Sequence, residues 1–177
     1  MVMFPIERVF ISYGNSRPGI KVPKRRFIVC HDTGNPGSNA IGNRDFFEEV
    51  QPKSSAHTFI DDKRIIEIIP LDEVAYHVRY SVPTDNEIYG YNANNAAIGV
   101  ELCYGGDINF WDAYTKFVWY HAYLCQRYGL NPKKDIVTHK MLDPARKIDP
   151  LEVLKQQGIS FTQFLADVYR MYVSFRT

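Results

Sequence analysis

The 177-residue chain has no long apolar run, no surplus of either charge and only three cysteines, and each shortage closes a class of answers. A membrane-spanning helix needs about 20 consecutive apolar residues, and no stretch here supplies them. Basic and acidic residues number 21 and 20, leaving a formal charge of +1. Nucleic-acid binding usually calls for a basic patch or stripe, and that balance argues against it. Cys30, Cys103 and Cys125 are odd in number and irregular in spacing, which makes a poor disulfide framework. They are expected as free thiols in a chain made in a reducing compartment. The segment Met1-Val2-Met3-Phe4-Pro5-Ile6-Glu7-Arg8 lacks the basic opening and long apolar run of a signal peptide. Synthesis in the cytoplasm is expected, and a site of action outside the cell would need delivery by other means. Repeats and low-complexity tracts are also wanting.

What is present suits one soluble globular domain with a sizeable core: 45% hydrophobic and 23% charged residues. The 12 Tyr and 11 Phe imply an aromatic core or a groove for sugar or peptide. Residues 1–24 read as an irregular arm with room for a short strand, the body of the domain as about 25–150, and a last helix as about 160–173. Phe27-Ile28-Val29-Cys30-His31 has the look of a buried strand, stopped by the turn residues of 32–37. A helix is expected over about 41–50. Two strands at 56–60 and 64–69 flank Asp61-Asp62-Lys63, a hairpin signal. Residues 74–78 suggest a short strand and 79–96 a long loop. In 98–104, Ile98, Val100, Leu102 and Tyr104 share one face, and Gly99, Glu101 and Cys103 the other. The longest helix is expected at about 111–128, with Gly129 as its cap and His121 on its core face. A strand near 135–138 leads into His139. Ser160 with Gln163 reads as a capping box for the last helix. Strands and helices interleave, so the fold class is α/β, a single domain with a central mixed β-sheet flanked by helices.

The chemistry lies where apolar runs end. His31 and His139 each close such a run ahead of turn-rich sequence, which puts both at C-terminal strand ends, the edge where α/β sheets bind ligands. Two His and one carboxylate, with a fourth position left for water, are the protein's share of a catalytic zinc site. Asp149 is the preferred carboxylate: Pro150 biases it toward an extended conformation, in which Lys147 points to the same side. Asp143, also followed by a proline, is the competing donor. Glu101 sits in the middle of an apolar strand, costly to bury without a partner, and its small neighbours Gly99 and Cys103 leave room for an approaching group. A metal-bound water accounts for both facts; a structural Lys or Arg partner is the plainer alternative.

At these residues the chain resembles the zinc-dependent N-acetylmuramoyl-L-alanine amidase type 2 family, which includes phage endolysins, bacterial autolysins and the animal peptidoglycan recognition proteins. The likeness covers roughly residues 25–150. It rests on 27–33 (FIVCHDT), 55–61 (SAHTFID), 75–77 (AYH), 95–102 (NAAIGVEL), Thr138-His139, and Lys147-Ile148-Asp149-Pro150, in the family's order. The resemblance implies an amidase-like fold and His31, His139 and Asp149 as zinc ligands. It further implies Glu101 as catalytic acid and base, Lys147 as oxyanion stabiliser, and His57 and His77 as residues near the substrate. Some members carry a catalytic Tyr just before the residue matching His57; Ala56 stands there, leaving more of the work to Glu101. The overall look is nearest to Bacillus and Bacillus-phage lysin amidase domains, which often carry a wall-binding domain that is not legible here. The expected substrate is bacterial peptidoglycan, cut between N-acetylmuramic acid and L-alanine at the cell wall by a monomer without nucleic-acid or membrane partners. The alternative is a recognition domain that holds wall fragments without cutting them.

Overall fold

The computed structural model describes residues 3–175, and its strands follow in chain order as β1 (Ile6–Arg8), β2 (Phe27–Asp32), β3 (Thr58–Ile60), β4 (Ile65–Glu67), β5 (Ala97–Leu102) and β6 (Ile136–Thr138). They form one sheet in the order β1-β4-β3-β5-β2-β6. Only β3 and β4 pair antiparallel, so the sheet is mixed, as the interleaved pattern requires. Their hairpin is made by Asp61, whose Oδ1 accepts from the backbone N–H groups of Lys63 and Arg64 at 2.8 and 2.7 Å.

The helices are α1 (Ala40–Glu49), α2 (Thr84–Tyr89), α3 (Ala93–Ala96), α4 (Phe110–Tyr128), α5 (His139–Leu142), α6 (Leu151–Gln156) and α7 (Phe161–Ser174). Asn109 caps α4 by accepting from the backbone of Trp111 and Asp112, and Gly129 ends it in the left-handed region at φ 66°, which favours glycine. Ser160 caps α7 by accepting from Gln163 N–H, a contact worth about 1 kcal/mol. The Gln163 side chain donates onward to Asp167, so the expected capping box is half formed.

Alternation along the strands divides the core. Ile28, Cys30, Ile98, Val100 and Leu102 pack under α4 and α7. On the opposite face, Phe59, Ile66 and Cys103 meet Ala40 of α1, and Phe27, Val29 and Ala97 meet Ala93 and Ala96 of α3. Among the described residues, no helix is long and apolar enough to cross a membrane.

Two expectations need correcting. Residues 74–78 form no strand; only an isolated bridge joins Lys21 and Glu73. The peptide N–H groups of His77 and Val78 donate instead to the Asn94 side chain, which takes the place of a ladder. Residues 79–96 are not a plain loop but hold α2 and α3, joined where Asp85 accepts from Ala93 N–H at 2.5 Å. In the basic run Lys24-Arg25-Arg26, Lys24 and Arg26 are exposed while Arg25 turns inward. Arg25 is 3% exposed and donates to the carbonyls of Leu71, Glu73 and Ala97, stapling the arm to β5.

Candidate metal centre

Parallel register brings the distant residues together. His31 lies opposite Glu101 across β2 and β5, so both side chains leave the same face of the sheet. β6 pairs with β2 on the other side, with Thr138 opposite Cys30. One step further on, His139 comes level with His31, and the two rings stand edge to face with centroids 4.6 Å apart. Thr138 turns the chain there by accepting from Met141 N–H as the cap of α5. Asp149 reaches the same point because Lys140 N–H donates to its carbonyl at 3.1 Å. Asp143 instead pairs with Arg146.

Asp149 Oδ2 lies 3.0 Å from His31 Nδ1 and 3.1 Å from His139 Nδ1. The donor atoms of the three residues all fall within 4.8 Å of one another. Burial lowers the His31 imidazole to about 4. Burial alone would raise the Asp149 carboxyl, but the hydrogen bonds to His139 and His31 outweigh it and hold it well below the ordinary range. A neutral imidazole beside an ionised carboxylate is the form in which these groups bind metals. Tetrahedral zinc ligands at their usual bond lengths stand roughly 3.3 Å apart; the two separations to Asp149 are close to this and the third is at most 4.8 Å, so the donor set suits zinc.

Glu101 Oε2 is buried without a hydrogen-bond partner. Burial first, then the charges of Asp149 and Asp32, push its carboxyl well up, while Lys147 draws it down. These groups line a cleft of about 560 Å³ together with His77, Tyr76 and Tyr104. Tyr104, expected on the face of Ile98, lies beyond the end of β5 and joins the cleft wall instead.

Lys147 is on the cleft wall but in no extended strand: residues 147–148 belong to no element. His77 is among the residues lining the cleft. His57 does not reach the cleft. It is fully buried, with Nδ1 accepting from Gly99 N–H at 3.0 Å and Nε2 2.9 Å from the carbonyl of Glu73. Its ring joins β5 to Glu73 through these hydrogen bonds, apart from the residues that line the cleft. Asp32 and Asn94 are residues of this region that pattern reading passed over. Burial raises Asp32 to about 6. Its place at the end of β2 and in a turn, one residue after His31, was the available signal. Asn94 had none, because its role is a contact with a segment 16 residues away.

A family model described as N-acetylmuramoyl-L-alanine amidase matches residues 21–152. The chain is 38% identical over 133 residues to the N-acetylmuramoyl-L-alanine amidase BlyA of Bacillus subtilis, covering 70% of this chain and 36% of that protein. To the amidase CwlL of Bacillus licheniformis it is 37% identical over 141 residues, covering 76% and 38%. The chain thus spans little more than a third of the length of these curated relatives. Among solved structures, the catalytic domain of XlyA matches with a TM-score of 0.76 at 26% identity, covering 93% of this chain and 99% of that one. The Staphylococcus aureus hydrolase AmiA, solved with its ligand, matches with a TM-score of 0.78 at 24% identity, covering 97% and 85%, a likeness of fold.

Proposed function

The chain belongs to the N-acetylmuramoyl-L-alanine amidase family, and from that premise we propose that it is a zinc-dependent hydrolase of the amide between N-acetylmuramic acid and L-alanine in bacterial peptidoglycan. His31, His139 and Asp149 hold the zinc. One observation carries the reading: two imidazole Nδ1 atoms converge on a single carboxylate oxygen at the base of a cleft, beside a buried carboxylate oxygen that has no partner.

When bound, zinc supplies Lewis-acid polarisation and brings water toward a neutral pKa. The rest falls to side chains. Glu101 takes a proton from the attacking water and returns one to the leaving amine of L-alanine. That double use asks for a carboxylate free of other hydrogen bonds, which describes Oε2. Lys147 faces the charge that gathers on the carbonyl oxygen as the tetrahedral carbon forms. Tyr76, Tyr104 and the cleft walls bind the sugar and the first residues of the stem peptide.

The test joins metal analysis to product analysis. The purified chain should take up one zinc per molecule. Digested cell wall should release intact stem peptides with a free L-alanine amino terminus, seen by mass spectrometry. Cuts inside the stem peptide, or wall bound but left whole, would overturn the proposal.

A further inference from the structure

His77 takes no part in the reaction above, yet it meets the far side of His31. Its Nδ1 lies 3.1 Å from His31 Nε2, and the rings stand edge to face with centroids 5.2 Å apart. The other nitrogen of His31, Nδ1, faces Asp149. For Nδ1 to turn a lone pair toward a cation, the proton of that neutral ring must sit on Nε2. A buried N–H then needs an acceptor, and His77 Nδ1 stands in that place. Metal-bound histidines generally donate this second N–H to a carboxylate, a carbonyl or water; here a second imidazole fills the position.

The surroundings hold the His77 backbone on one side and crowd its ring on the other. The backbone N–H groups of His77 and Val78 each donate to Asn94 Oδ1 at 2.9 Å, and Asn94 Nδ2 donates to Val78 O at 2.9 Å. Asn94 is fully buried. On the sheet side Gly99 makes the space: a Cβ there would stand 2.6 Å from His77 Cγ. The neighbouring His57 ring lies edgewise to His77 at 5.8 Å and is itself tied to Gly99 N–H. Asn94 thus anchors the His77 backbone, while Gly99 and the His57 ring bound its imidazole where it meets His31.

We propose that His77 is a positioning residue of the metal centre, accepting the Nε2–H of His31 and so fixing the tautomer that turns His31 Nδ1 toward the zinc. The inference rests on the zinc reading above and extends it by one residue and its supports. It also assigns the proton of His77 itself to Nε2, an atom buried without a protein partner.

Zinc affinity measured by chelator competition tests this on the wild type, His77→Phe, His77→Asn and Gly99→Ala, with thermal melts run alongside. Phe keeps the ring volume and removes the acceptor; zinc should bind about 10- to 100-fold more weakly. Asn places an amide oxygen near the Nδ1 position and should recover most of the loss. Gly99→Ala, which changes no metal-facing side chain but crowds the His77 ring, should weaken zinc as well. Imidazole ¹⁵N spectra of the zinc-loaded wild type, which need no variant to fold, should show a proton on His31 Nε2 and on His77 Nε2. Wild-type zinc affinity in a folded His77→Phe chain, or a His77 proton on Nδ1, would overturn the proposal. Failure of the wild type itself to take up zinc is a separate result; it removes the metal reading and this inference with it.

Discussion

Strand β2 carries two adjacent residues that face opposite sides of the sheet, and each meets a histidine. On the helix side, Cys30 Sγ lies 3.2 Å from His121 Nε2, while His121 Nδ1 donates to the Phe117 carbonyl at 2.7 Å. On the cleft side, His31 faces Asp149, His139 and His77. Burial brings the imidazoles of His121 and His31 alike to about 4. A lowered pKa therefore marks burial and does not separate the two. What separates them is completion. His121 has a partner at each ring nitrogen and no carboxylate beside it. On the cleft side two imidazoles share one carboxylate oxygen, and Glu101 Oε2, His77 Nε2 and His139 Nε2 are buried without protein partners. Trp119 Nε1 on α4 is also buried without a partner, so a lone unsatisfied atom is no signal; what marks the cleft side as a candidate site is the clustering of such atoms around one shared carboxylate oxygen.

The comparison breaks most sharply at the proposed metal donors. His139→Ala or Asp149→Asn should abolish stoichiometric zinc and reduce wall hydrolysis to background, whereas His121→Phe should keep both. Zinc retained by the first pair, or lost by the third, would remove the distinction between the two faces. Next in size, Glu101→Gln should lose about 10²- to 10⁴-fold in turnover with zinc still bound, read by kinetics and metal content together. Lys147→Met should cost about 10²- to 10³-fold in kcat, the usual share of one oxyanion donor, and full turnover in that variant would take Lys147 out of the mechanism.

The helix side yields the smallest effects, and they fall on stability. His121→Phe leaves Cys30 Sγ and the Phe117 carbonyl short of a partner and should destabilise by about 1–3 kcal/mol in denaturant melts. It should also flatten the acid limb of stability. Below about pH 6.5 the unfolded chain protonates at His121, while the folded chain resists down to about 4. The unfolded state binds more protons in that window, so stability falls as pH falls through it, by roughly 3 kcal/mol from this group. His57 and His77 are lowered in the same direction and add to the slope, so the variant should reduce it without removing it. An unchanged slope would mean that His121 is not held neutral by its burial.

Much of this was legible in the residues, for identifiable reasons. The strands at 27–32 and 97–102, the hairpin at Asp61 and the long helix ending at Gly129 follow from local alternation, turn chemistry and capping, which act within a few residues. His31, His139 and Glu101 stood out because a polar residue closing or interrupting an apolar run is costly without a purpose. The misreadings share one cause. Residues 74–78 have strand-like composition, but the distant Asn94 takes their peptide N–H groups. The short helices within 84–96 depend on Asp85 and Asn92 bonding to neighbouring peptide groups, contacts that periodicity does not register. His57 sits in the right motif and near the right residues, yet its ring is turned into the core and consumed by Gly99 and Glu73.

By itself the amino-acid order determined which segments become strands, which residues are too costly to bury idly, and that the fold is α/β, since these depend on interactions between near neighbours in the chain. Only the tertiary structure decided that Asp149 and not Asp143 meets the histidines, that His57 is a strut while His77 lines the cleft, and that Gly99 must be small. Those outcomes turn on strand register and on side-chain direction across tens of residues, where a shift of one position along β2 would send His31 to the helix side and Cys30 to the cleft.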